Sequence, residues 1–291
     1  MTSSRIHRAS RSVALLFCLA VGCRSAGTGP DSAAEEQRRV TRELNRARVH
    51  LDAGVAELGR RSAALDSHGV STLLPEIARR DTLYRKLLNL RRLHEAGASA
   101  ALADSIDMRS SPPRLDIPAT PVIEAFTDGR NWMLQSYLIH RFGSTPHVLI
   151  VPAGFVTDLA SVPDIAEPLL PRAGEYSNAA IIHDYLYWTQ SCTREQADNL
   201  MSIAMKEAGV APWKDLLIHS AVRLGGQDAW NANRTRRASG FIRTVDLSWD
   251  RSPSTTDWIT LQAILRESSS RPGAEPPVSP EVCALGNNTR F

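Results

Sequence analysis

A connection of four residues constrains this chain more than any other feature. Thr189-Gln-Ser-Cys192 separates a helical stretch over about 176–188 from one that begins after Thr193. A link that short forces the two helices antiparallel. The second helix announces its start, because Thr193-Arg-Glu-Gln196 fits the capping box, and Gly209 supplies its stop. A third helix is predicted from Pro212, a residue suited to the first helical turn, to about Trp230. Upstream, β-rich runs cover Trp132 to Phe142 and His147 to Val151, and Pro152 to Asp158 leaves the second run as a loop.

The N-terminal third reads differently. Val40, Leu44, Ala47, Leu51, Val55 and Leu58 recur at helical steps, as do Ile77, Leu83, Leu87 and Leu90. Gly69 and Pro75 punctuate the two runs, which predicts an amphipathic hairpin acting as a stalk. The expected class is therefore α+β and mainly helical: a small β-hairpin or sheet, then a three-helix unit, with an N-terminal helical hairpin. The expected divisions are a signal peptide (1–22), a tether (23–34), the hairpin (35–105), a proline-rich linker (106–121), a compact domain (122–250), and a short helix around Trp258 with a flexible tail (251–291).

The first residues carry an export pattern. Arg5, His7, Arg8 and Arg11 precede the apolar run Val13 to Val21, too short to span a bilayer as a stable helix. Leu19-Ala-Val-Gly-Cys23 resembles the bacterial lipobox, with Ala20 where leucine is usual. The resemblance implies acylation of Cys23 and, with Arg24 following rather than aspartate, the outer membrane. The expected partner is thus a membrane, through an N-terminal lipid anchor; any protein partner of helices 35–95 is left open. The formal charge is +3, and three arginines without an acid lie in residues 1–22, so the remainder sits near zero. That balance gives no warrant for nucleic-acid binding. Of the remaining thiols, Cys192 and Cys283 could pair in an oxidising envelope, but the sequence does not show their distance.

The chemistry-bearing stretch is Ile181-Ile-His183-Asp184-Tyr-Leu-Tyr187. His183 and Tyr187 share a helix face, and Asp184 points about 100° away. His183 lies about as far before the short connection as Asp198 lies after it, so antiparallel pairing sets them level. A carboxylate beside Met201 and Met205 needs a partner to be buried. His183 is one candidate; Arg194, four residues before Asp198, is another. A His183–Asp198 pair would fix the imidazole tautomer and ready it to activate water.

Gly154-Phe-Val-Thr-Asp158, Ser161-Val-Pro163, His183-Asp184-x-x-Tyr187 and Ala197-Asp198, in this order, resemble the phage and bacterial family catalogued as domain of unknown function 1353, over about residues 130–230. The helix pair is also similar to the catalytic helices of phospholipase A2 enzymes. That similarity implies His183 as the water-activating base, with Asp198 and Tyr187 steadying it and Asp184 as a Ca²⁺ ligand. A phospholipid is the substrate it implies. The Gly-rich calcium loop of that family is missing, so carbonyls of the 154–158 loop and the Asp158 side chain would have to complete a shell of about six to eight oxygens.

Other readings compete with these. His183 could be a satisfied core histidine, and the same polar residues a hydrogen-bond network in a non-enzymatic interaction domain. Asp158 and Ser161 could cap turns. His219, among Leu216, Leu217 and Val222, reads as structural. Zinc held by His183, Asp184 and His219 lacks the usual tight spacing. The absence of a Gly-x-Ser-x-Gly elbow argues against serine hydrolase chemistry, while a cell-wall hydrolase stays open.

Overall fold

The structure, a computed structural model, describes residues 30–95, 122–159, 176–246, 252–268 and 272–287. The signal peptide, Cys23, the 106–121 linker, Ser161 and Pro163 lie outside the described residues. The chain divides into two units, Met1–Glu43 and Leu44–Phe291. The described part of the first is the beginning of helix α1 (Pro30–Ala63), where Arg39 pairs with Glu36 at 2.6 Å. The second unit is a mainly helical α+β domain.

From Leu44 onward α1 pairs with α2 (Ser67–Glu95), and the expected stripe is buried at Leu44, Ala47, Leu51, Val55 and Leu58. The helices turn at residues 64–66, so Gly69 and Pro75 do not mark the break. Gly69 sits in the first turn of α2, where its amide donates to the Asp66 carboxylate at 2.8 Å, an N-terminal cap. Pro75 lies inside α2; it is exposed, and so is Ser71, whose carbonyl loses its partner to the missing N–H and faces water.

The hairpin is not a stalk standing apart from the domain. Strands β3 (Leu138–Arg141) and β4 (Val148–Val151) pair antiparallel, and Ile139, Val148 and Ile150 pack with Leu51, Val55, Ile77 and Leu88 in one apolar cluster. Tyr137 donates to Asp52 at 2.8 Å, and Arg92 pairs with Glu124. An amphipathic stripe shows only that a face is covered; here the covering surface is the sheet, so the expected boundary between hairpin and domain vanishes.

The run from Trp132 to Phe142 splits into two strands in different sheets. Strand β2 (Trp132–Leu134) is the middle of a three-stranded antiparallel sheet, between β1 (Ile123–Ala125) and β5 (Val156–Thr157). The expected loop after Val151 thus contributes a short strand. One face of that sheet packs Met133 and Val156 against Trp258, Leu261 and Leu265 of α6 (Trp258–Glu267).

The three expected helices follow as α3 (Ser177–Thr189), α4 (Arg194–Glu207) and α5 (Pro212–Ala238), the last two turns longer than the pattern indicates. The Thr193–Gln196 capping box is formed, and α4 ends before Gly209, which adopts φ +76°. The last residues are not a flexible tail over 272–287. Helix α7 (Pro280–Leu285) buries Val282 in the main core, and Cys283 is bonded to Cys192, settling the pairing the sequence leaves open.

Candidate functional site

Helix α3 is buried nearly all round, from Ala179 to Trp188. A polar side chain on such a helix must find a partner at every face it reaches. Three neighbours provide them: α4 meets His183 and Tyr187, β5 meets Asp184, and the C-terminal segment meets Tyr185 and Trp188.

On the first face, Asp198 is 1% exposed and collects three donors. Its Oδ1 accepts from His183 Nε2 at 2.9 Å and from the Tyr187 hydroxyl at 2.6 Å, and its Oδ2 accepts from Arg194 Nη1 at 3.0 Å. Both partners the sequence offered Asp198 are thus used at once. A carboxylate can only accept, so the hydrogen lies on Nε2 and neutral His183 carries its lone pair on Nδ1. Nδ1 makes no hydrogen bond among the described residues. The ring lies 4.0 Å from that of Tyr187, whose far side meets Trp230 edge-on. Burial and the Asp198 carboxylate raise the Tyr187 phenol above its ordinary range, keeping it a proton donor to that carboxylate.

Gly226 of α5 closes this face. A Cβ there would lie 2.3 Å from the Tyr187 hydroxyl, so the close approach of α5 requires a residue without one. Arg194 also donates to the Arg223 carbonyl at 3.3 Å, joining α4 to α5 above the carboxylate.

On the second face, Asp184 and Asp158 come together, as the calcium site implied by the phospholipase A2 similarity would need, but around a guanidinium. Thr157 donates to Asp184 Oδ2 at 2.5 Å, and Arg243 Nη2 lies 3.1 Å from Asp158 and 3.6 Å from Asp184. Arg243 Nε is fixed by the Val156 carbonyl at 2.7 Å, and its guanidinium lies over the Phe155 ring. Burial is the main cause that raises Asp184 well above the usual carboxylate range, and the neighbouring Asp158 charge adds to it. Arg243 and the Thr157 hydroxyl act the other way without cancelling it.

Ionisation of Asp184 therefore opposes folding. Below the ordinary carboxylate pKa both folded and unfolded chains hold its proton. As pH rises past that value the unfolded chain releases it first, and stability falls. Asp184→Asn should keep the Thr157 hydrogen bond and lose this dependence. Urea midpoints should show the variant gaining on the wild type as pH rises from about 4 toward 7. A difference that stays flat with pH would contradict the raised pKa.

Calcium does not fit this cluster. In the 154–158 loop, the Gly154 carbonyl accepts from Val245 N at 2.9 Å, Phe155 from Leu134 N at 2.9 Å, and Val156 from Arg243 Nε at 2.7 Å. Three of the loop's carbonyl oxygens are thus already engaged, and a fixed cation already lies beside both carboxylates. Among the described residues no group of three or more His, Cys, Asp or Glu side chains is arranged to hold a metal ion. The zinc alternative meets the same limit: His219 lies in the α4–α5 seam, with Nε2 3.1 Å from Asn199 Oδ1, and burial lowers its pKa. Its structural reading fits this placement.

A cavity of about 910 Å³ lies elsewhere, between α1, β4 and residues 273–280. None of His183, Asp184, Asp198 or Asp158 lines it, and its Arg48 is near Asp52 and Asp246.

Sequence reasoning missed Arg243, Thr157 and Gly226. Arg243 lies 59 residues beyond Asp184 with no motif around it. The Phe155–Thr244 bridge brings it alongside β5, with Val156 N donating to the Arg243 carbonyl at 2.8 Å and Val245 N to the Gly154 carbonyl at 2.9 Å.

Fold and site together define a small, mainly helical α+β domain with a histidine–aspartate–tyrosine set between two antiparallel helices. Residues 132–222 match the family model described as a protein of unknown function, DUF1353. No curated protein and no solved structure is similar enough to this chain to match it.

Proposed function

We propose that the domain is a hydrolase of carboxylic esters of the phospholipid class, with His183 as its base. One observation carries the reading: Asp198, itself buried, holds His183 by Nε2 and so presents the Nδ1 lone pair. Water donating to Nδ1 would lose its proton to the ring as its oxygen adds to the ester carbonyl. The same proton would then pass to the leaving alkoxide as the ester C–O bond breaks, returning the imidazole to neutrality. Asp198 would offset the transient imidazolium, and Tyr187 with Arg194 would hold Asp198 in place. No step is routed through Asp184 or Asp158, which serve as a structural cluster with Arg243. The lipobox-like Cys23 supports an exported, lipid-anchored protein working beside a membrane, the outer one by default.

The experiment is hydrolysis of a dispersed phosphatidylglycerol by the purified chain, followed by release of fatty acid. The wild type should release it with or without chelator, and His183→Gln should lose the activity by about a hundredfold or more. Release that survives His183→Gln would overturn the mechanism. A specific observation also favours a second reading, in which the set is a structural network. His183 is only 8% exposed, and both Asp198 oxygens are satisfied. A wild type without activity, whose folded stability falls on His183→Gln, would select that reading.

A further inference from the structure

The cavity of about 910 Å³ that the His183 set leaves unused is a trough whose walls run side by side. Helix α1 lines it from Arg48 to Ala63, about 22 Å along the helical rise. Strand β4 passes α1 in the opposite sense: Val148 N donates to Ser62 Oγ at 3.0 Å, and a Cβ on Gly59 would lie 3.8 Å from Ile150 Cδ1. Residues 273–280 form a third wall over the same length. At one end Gly273 N donates to the Thr244 carbonyl at 2.7 Å, close in the chain to Asp246, which lies 3.9 Å from Arg48. At the other end Glu281 is within electrostatic reach of His147, the neighbour of Val148.

The main chain of β4 identifies what this trough takes. Phe142 N donates to the His147 carbonyl at 3.1 Å, so in the β3–β4 ladder the pairs 140–149 and 138–151 exchange hydrogen bonds. Val148 and Ile150 therefore turn their N–H and C=O groups to the other edge of β4, where no strand pairs among the described residues. That edge opens into the trough, because Ser62, which takes the Val148 amide there, lines it together with Val148 and Ile150. The Val148 C=O and the Ile150 N–H and C=O have no hydrogen-bond partner among the described residues, although Ile150 is only 7% exposed. Main-chain groups so far from the surface are nearly always paired. The facing segment cannot complete the ladder itself, since Pro276, Pro277 and Pro280 have no N–H.

We infer that the trough binds one extended peptide, which adds as a strand to the open edge of β4. An extended chain crosses the length of the trough in about seven residues. Its amides and carbonyls supply the donors and acceptors that Val148 and Ile150 lack. Its alternate side chains meet Leu51, Val55, Ile150 and Val278, so apolar residues suit every second position. Charge does not select the occupant, because Arg48, Asp52 and Asp246 bring both signs to one end. An acyl chain fits the apolar walls but would leave the Ile150 groups unpaired. With α1 on one side and 273–280 on the other, the edge admits a single strand and not the sheet of a second copy. The inference is independent of the hydrolase reading, since neither His183 nor Asp198 lines the trough.

The test presents the full chain to a display library of random heptapeptides, and the enriched sequences are then synthesised. Sequences apolar at alternate positions should be enriched. At saturation such a peptide should slow exchange of the Ile150 amide by about tenfold or more. N-methylation of the peptide amides in the register that faces β4 should weaken binding by about tenfold or more. Gly59→Leu, which puts a side chain into the trough over Ile150, should weaken it by a similar factor; the exchange and N-methylation measurements use the wild-type chain and do not depend on that variant folding. A library that yields no enriched peptide would overturn the inference. So would enriched peptides that leave the Ile150 amide exchanging at its free rate. Palmitate that binds in the trough where no peptide does would assign it to an acyl chain instead.

Discussion

Asp198→Ala should destabilise the domain by about 3 kcal/mol or more, far beyond the value of an exposed ion pair. The side chain is 1% exposed, and its removal strips partners from three donors at once. Leaving a buried donor unsatisfied costs about 1–3 kcal/mol per group. Arg194 can recover part of that loss in water, being 26% exposed. The Tyr187 hydroxyl cannot, enclosed as it is by Trp230, Gly226 and the histidine ring. Arg194→Ala should therefore cost only about 1 kcal/mol, because His183 and Tyr187 still hold the carboxylate. Asp198→Asn should fall between the two, since its amide group must face one of the donors with a donor of its own. Urea unfolding midpoints of the three variants provide the check. An Asp198→Ala loss below about 1 kcal/mol would mean that the three bonds contribute little beyond an exposed pair.

The pattern of what was legible follows from the range of each signal. The capping box at Thr193–Gln196, the stop at Gly209 and the short connection are local, and they set the α3–α4 register without further information. The His183–Asp198 contact is a consequence of that register, so two residues fifteen apart could be paired from the sequence. The Asp158–Asp184 pairing rests on the calcium shell that the phospholipase A2 similarity implies, and the two carboxylates are neighbours. The similarity is wrong about what joins them, because Arg243 arrives through strand bridging that leaves no local periodicity. The hairpin stripe likewise stated that one face is covered but not by which surface. Proline was the misleading signal at both ends. Pro75 predicts a break, although a helix tolerates it where the freed carbonyl faces solvent. Pro272, Pro276, Pro277 and Pro280 predict a tail, although an extended segment can be packed as tightly as a helix when its polar groups have partners.

That segment carries the second large expectation. Cys192→Ala with Cys283→Ala should lower stability by about 3–4 kcal/mol. The bridge closes a sequence separation of 91 residues, and in the chain-entropy view long loops restrict the unfolded chain most. Its loss should not be confined to the C-terminal segment, because that segment satisfies groups on the central helix. Tyr185 donates to the Pro276 carbonyl at 2.7 Å, Trp188 Nε1 to Glu275 at 2.7 Å, and Asn199 to the Gly286 carbonyl at 2.7 Å. Gly286 is seated so closely on α4 that a Cβ would lie 2.7 Å from the Gln196 carbonyl oxygen. If the segment lifts, buried polar groups of α3 and α4 lose their partners, and the aspartate–histidine seam lies between those same helices. Amide exchange along α3 should therefore accelerate in the double variant in step with the fall in its urea midpoint. Fast exchange over 272–287 with α3 unchanged would mean that the bridge secures a cover rather than the core. In that case the His183–Asp198 geometry would survive reduction.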